Sequence, residues 1–512
     1  MSPAGVAPSE KGAPGPGEAR LLASGALVQG IAQASGLVAL LVIVTVLARR
    51  LSVAQLGAYG LVASLAGYLL VLRNSVASSA VRAMASALDR DERARVFSAA
   101  AALYVAVGLI TGLLIVGAAL AIAGLILDGD LAREARAGGA GLGLVTALGI
   151  AASVNLDALR AGRLFVRGAL TEIVAVALYL ALMLALILGG ADLALVIAAS
   201  GAIPLLSGLL SALVARRSGV PVSFHAAGVT RERSMRIVPT AGWLLVVELS
   251  NLAMYAFSRV ILGAYRSPAA VGQFEGPVRA HNLLYALAGA LAVPVVPSAS
   301  RYVAAGDERR LRELALRGTR YTLALFVPLC VTLMALAEPI LDVWLGDRYG
   351  DGATALAILV SYWLLLGGLV VTPGFLVGVG RARWAGLIFA AAAALNLALT
   401  LALTPELGLE GPALGTAIPF VLAFPLLLRV GLAASGAPLG ELARVAWLPA
   451  YALGAVLAGL LVAARAGLSP ESLPAVLALA GGGLLAYWGA FYALVLSGEE
   501  RGLVRGLVRR SG

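Results

Sequence analysis

The chain has 512 residues, 61% hydrophobic and only 13% charged, with a mean hydropathy of +0.95. A soluble protein of this composition would lack the polar surface to cover itself, so an all-α polytopic membrane protein is expected. The net charge of +11 is spread as arginine through short loops, which argues against a nucleic-acid partner; a lone Cys330 and two histidines exclude an intrachain disulfide and leave little for a metal centre.

Residues 1–20, "MSPAGVAPSEKGAPGPGEAR", read as a disordered tail rich in Pro and Gly. The apolar run after it is too long for a signal-peptide core and reads as a retained first span. About fourteen apolar segments follow, near 21–48, 57–80, 97–127, 140–159, 169–189, 192–214, 239–262, 281–300, 318–344, 353–377, 384–404, 411–433, 446–464 and 474–497. Runs of this length without alternation are helices, because a helix satisfies its own backbone in lipid. A basic tail, 498–512, closes the chain. Neither a phosphate-cradling P-loop nor an acidic cluster with metal-ligand spacing occurs, so no catalytic residue, no cofactor and no metal site is expected.

Basic residues fall unevenly on the two sides. Of 38 Lys and Arg residues, eight (Arg49, Arg50, Arg133, Arg136, Arg266, Arg279, Arg348 and Arg465) lie in one set of loops, and Arg73 and Arg259 lie within spans. The rest lie in both tails and every second loop, which places both termini in the cytoplasm.

A short loop is written twice. In "LSVAQLGAY" and "RSPAAVGQF", Ser52 aligns with Ser267, Ala54 with Ala269, Leu56 with Val271, Gly57 with Gly272 and Tyr59 with Phe274. "DER" recurs at Asp91–Arg93 and Asp307–Arg309, and "GR" at Gly162–Arg163 and Gly380–Arg381. Spans 1–6 and 7–12 therefore read as two copies of one unit. Since six is even, the repeat is parallel, about an axis along the membrane normal, with a cavity between halves. The expected division is a tail (1–20), a six-helix half (21–214), a cytoplasmic linker (215–238), a second half (239–433), two added helices (434–497) and the basic tail (498–512). The loop glycines are expected to permit a tight re-entry between helices.

The stretch "LARRLSVAQLGAYGLVASL", with Pro297-x-x-Ser300-Arg301 and Gly306-Asp307 after the eighth span, resembles the polysaccharide/oligosaccharide flippases of the multidrug/oligosaccharidyl-lipid/polysaccharide exporter superfamily. The likeness covers roughly residues 20–500. It implies movement of polyprenyl-diphosphate-linked sugars across a bacterial cytoplasmic membrane by alternating access, without enzymatic activity. Implied partners are that lipid-linked sugar, the bilayer, a coupling proton or cation, and polysaccharide biosynthesis machinery. An ion-coupled multidrug exporter of the same superfamily and a membrane-embedded polymerase or transferase are the alternatives.

Charges within spans are costly and mark candidate site residues. In the seventh span, Glu248, Asn251, Tyr255 and Arg259 share one helical face, which should line a cavity or meet another helix. A lipid diphosphate needs cationic compensation, and a guanidinium binds phosphate oxygens bidentately. Arg259 is the first candidate, Arg73 the second and His281, read as opening span 8, the third. Gln33, one turn from Gln29, lines the cavity or packs helices. Asp157 and Arg160 read as an i,i+3 pair at the membrane surface.

Overall fold

The computed structural model describes residues 16–87, 89–237, 257–292, 294–502 and 505, without side-chain detail at 16–27, 68, 71, 75 and 236. Among the described residues every regular element is helical. The first half holds α1 (Pro16–Arg50), α2 (Val53–Ser86), α3 (Arg90–Leu125), α4 (Gly129–Ala161), α5 (Phe165–Leu188) and the bent pair α6 (Leu193–Ala199) and α7 (Ala202–Arg217). A one-turn helix at Ala226–Gly228 and α8 (Arg231–Ile237) follow. The second half continues with α9 (257–265), α10 (Pro268–Ala292), α11 (Val295–Ala304), α12 (Glu308–Ala335), α13 (Ala337–Leu345), α14 (Ala353–Leu366), α15 (Thr372–Gly378), α16 (Ala382–Leu407) and α17 (Glu410–Ser435). Last come α18 (Leu439–Leu442), α19 (Leu448–Leu468) and α20 (Leu473–Leu494).

Twelve described helices are long and apolar enough to cross a membrane, and α6 with α7, bent by 46°, makes a thirteenth as one broken span. The expected seventh span lies largely outside the described residues. Others are longer than the sequence suggested. The eighth starts at Pro268 rather than near 281, and breaks at Pro294, where the missing N–H and ring of proline interrupt the ladder. Residues 318–344 are not one span either: α12 ends at Ala335, and α13 is a separate short helix.

Small residues bring the helices together, as expected where lipid supplies no hydrophobic drive between them. On α3 and α4, a Cβ built on Gly112 would meet the Gly143 carbonyl at 2.7 Å, and the reverse distance is also 2.7 Å. The same device joins the two halves. A Cβ on Gly57 of α2 would lie 1.7 Å from the Pro268 carbonyl oxygen, and one on Gly272 of α10 would lie 2.0 Å from the Val53 carbonyl oxygen. The shift of 215 residues that carries Ser52 onto Ser267 also carries Val53 onto Pro268 and Gly57 onto Gly272. The shift exchanges the two contacts, which are therefore mates under a two-fold operation, and matching residues meet at matching heights, so α2 and α10 run parallel. Both start with a serine cap: Ser52 accepts from Gln55 N at 3.2 Å and Ser267 from Ala270 N at 3.1 Å. The expectation of a tight re-entry at these glycines is corrected here. Gly57 and Gly272 lie inside helices, and they serve close approach, not turning.

Candidate functional site

Beyond the glycine contact α2 and α10 separate, and a cavity of about 370 Å³ opens between the halves. Ala63, Gly67 and Leu70 of α2 form one wall; Arg259 of α9 with Arg279 and Asn282 of α10 form another. At its closed end lies a buried ion cluster. Arg259 Nε donates to Glu275 Oε1 at 2.6 Å, and Arg279 Nε donates to Glu275 Oε2 at 3.1 Å. Arg259 and Glu275 are 2% and 1% exposed, against 12% for Arg279. These three side chains carry two positive charges and one negative. Tyr59 and Tyr179 stand beside the cluster on the same cavity.

Geometry explains why the carboxylate sits here. Glu275 is an i,i+4 neighbour of Arg279 on α10 and faces Arg259 from the preceding helix, so one anion offsets two cations that would each be expensive in lipid.

A second cavity of about 250 Å³ lies deeper in the first half and shares Leu70, Ile203 and Pro204 with the first. Gln29, Gln33, Arg73, Asn74, Glu172 and Ser207 line it. Arg73 Nη2 donates to Asp157 Oδ2 at 2.6 Å and its Nε to Ser153 Oγ at 3.1 Å. Asp157, fully buried on α4, also accepts from Tyr104 at 2.6 Å and from Arg160 at 3.1 Å, and Arg160 reaches Glu172 at 3.2 Å. The expected Asp157–Arg160 pair thus exists, as part of a network with Arg73, Tyr104 and Glu172 in which Asp157 is buried. A third cavity, about 230 Å³, is apolar and aromatic and lies in the second half among Tyr285, Trp363, Phe389 and Phe420.

The sequence-derived candidates fall into three groups. Arg259 lies on the central cavity, and Arg73 and Gln33 lie on the cavity of the first half. His281 does not open a span: it is 1% exposed, thirteen residues into α10, and its Nε2 is hydrogen-bonded to the Tyr362 hydroxyl. Glu248, Asn251 and Tyr255 lie outside the described residues. Sequence reading missed Glu275 and assigned Arg279 to a loop. The available signal was their i,i+4 spacing, and Glu275 falls on Gly60 under the repeat shift.

A largely apolar cavity between parallel helical halves, bordered by a buried ion cluster, fits the architecture of a membrane transporter. The sequence profile described as "Polysaccharide biosynthesis protein" matches residues 46–353, more than half of the chain, and the chain belongs to that family. The fold is that of the multidrug/oligosaccharidyl-lipid/polysaccharide exporter superfamily. The lipid II flippase MurJ in an inward closed conformation superposes with a TM-score of 0.70 at 15% identity, covering 91% of this chain and 99% of that one. An inward-facing multidrug resistance MATE family transporter gives 0.66 at 16% identity over 80% and 98%, and an outward-facing one 0.56 at 15% over 81% and 96%. The uncharacterized membrane protein EpsK of Bacillus subtilis is 26% identical over 204 residues, 39% of this chain and 40% of its own length. The chain thus matches about two fifths of that relative.

Proposed function

We propose that the protein is a flippase that carries polyprenyl-diphosphate-linked sugars across the bacterial cytoplasmic membrane, acting as a transporter and not as an enzyme. The observation that carries this reading is the Arg259–Glu275–Arg279 cluster on a cavity between two halves. A diphosphate head in the bilayer core is costly without compensation. Arg279, held by Glu275 yet partly exposed to the cavity, can offer N–H groups to phosphate oxygens. Family membership in polysaccharide biosynthesis favours a lipid-linked sugar over a drug, although the multidrug exporters share the fold. We take 21–214 and 239–433 as the moving halves, joined by 215–238, with 434–497 added outside the repeat and both termini cytoplasmic.

Among the described residues, four hydrogen bonds link the halves at the end we assign to the outside. Trp344 Nε1 donates to Thr45 Oγ1 at 2.7 Å, Arg49 to the Val343 carbonyl at 2.9 Å, and Arg348 and Tyr349 to the Ala48 carbonyl at 3.0 and 3.3 Å. Closure there, with the cavity beyond it, is the inward-facing arm of an alternating-access cycle. A coupling proton or cation would act on buried carboxylates such as Glu275. The test is reconstitution in liposomes containing a fluorescent polyprenyl-diphosphate-linked sugar, with an impermeant quencher reading the exposed fraction. The protein should speed its transbilayer movement, Arg279→Ala should abolish that movement at equal reconstitution, and Arg279→Lys should restore part of it. No acceleration by the unaltered protein would reject the reading.

A further inference from the structure

The cavity of the first half differs chemically from the one on the axis. Arg73 and Arg160 are matched by Asp157 and Glu172, so the wall is charge-balanced and offers no excess of positive charge to an anion. What it does offer is neutral hydrogen-bonding capacity. Gln29 and Gln33 stand one turn apart on α1, and neither amide has a hydrogen-bond partner among the described residues. Ser207 of α7 is 5% exposed and lines the same cavity, and its hydroxyl has no hydrogen-bond partner among the described residues. A buried hydroxyl left unpaired is costly, and such groups in native proteins usually meet a ligand or water. Asn74 gives its side-chain oxygen to Arg73 at 3.3 Å, which leaves its amino group for a further acceptor.

From these features we propose that this cavity is the subsite for the uncharged sugar that follows the diphosphate. This rests on the flippase reading and deepens it. Sugar hydroxyls both donate and accept, and an amide side chain matches them with one acceptor and two donors. Placement agrees with the covalent order of such a substrate. Under the repeat shift Arg279 is level with Ser64 on α2, and Arg73 lies nine residues further along, about 13 Å. The two cavities share a wall at Leu70, Ile203 and Pro204, so a diphosphate at Arg279 can extend its first sugar toward Gln33 and Ser207.

The test measures binding to the purified full chain in nanodiscs. The probes are polyprenyl diphosphate alone and the same lipid bearing a single neutral hexose or N-acetylhexosamine. The unaltered protein should bind at least one sugar-bearing probe about tenfold tighter than the bare lipid, an increment of about one to two hydrogen bonds. Gln33→Leu and Ser207→Ala should each bring that ratio toward one. Ser207→Ala removes an unpaired buried hydroxyl, so its unfolding temperature should be equal or higher, whereas a structural role for the hydroxyl predicts a fall. If the lipids bind but the ratio survives both substitutions, or no sugar improves binding, the subsite is wrong and the flippase reading stands. If neither the bare nor the sugar-bearing lipid binds, both fall.

Discussion

The Glu275 carboxylate lies against Gly60 across the two-fold: a Cβ built on Gly60 would fall 2.3 Å from Oε1. Under the shift of 215 residues the two are the same position, glycine in one half and glutamate in the other. The axis has room for one side chain, so the halves cannot be identical here. Gly60→Ala should push the carboxylate off Arg259 and Arg279, at about the 1–3 kcal/mol of an overpacked core. Thermal unfolding in detergent reads this, and an unchanged midpoint would mean that the carboxylate is not confined.

How much of this was visible in the chain follows from which interactions are local. The parallel repeat was legible because two loops kept the same residues at a constant shift, and the serine caps and contact glycines are those residues. The start of the eighth span was not. A hydropathy reading stops at charge, and Glu275 and Arg279 looked like loop residues until Arg259, sixteen positions earlier on another helix, was seen to close the cluster. The same limit placed His281 at an interface instead of beside Tyr362 inside α10. Asp157 was read with Arg160 because four-residue geometry is local; Arg73, 84 positions away, and Tyr104 could not be read so.

The cluster itself separates stability from transport. Glu275→Gln leaves two buried guanidiniums with weakened compensation, and removing one member of a buried ion set costs about 3–5 kcal/mol. Replacing Arg259 and Glu275 together with methionines should recover much of that loss, because apolar residues of similar volume often substitute well for buried pairs. Lipid movement should not recover in the double variant. If it did, the pair would be a packing device and phosphate compensation would rest on Arg279 alone.

Orientation can be read with single cysteines in a Cys330→Ala background, Cys330 being fully buried. Ala227 and Arg310 are exposed at the end that carries most of the arginine, and Asp130 and Asp347 are exposed at the other. In intact cells an impermeant thiol reagent should label cysteines at 130 and 347 and spare those at 227 and 310 until the membrane is opened. The reverse pattern would put both termini outside.

The last prediction concerns the seal between Thr45 and Trp344. Alternating access requires this end to part in one half of the cycle, so contacts here must be strong enough to close and weak enough to break. One indole hydrogen bond and three bonds to backbone carbonyls suit that, at about 1 kcal/mol each for neutral donors and somewhat more from arginine. Cysteines at 45 and 344, joined by a short bifunctional thiol reagent, should hold the end shut and stop net lipid movement. Cleaving a reducible version of the linker should restore it, and either cysteine alone with the reagent should leave transport close to that of the Cys330→Ala parent. Continued transport by the fully cross-linked protein would mean that substrate does not leave between α1 and α13, and the exit would have to lie elsewhere.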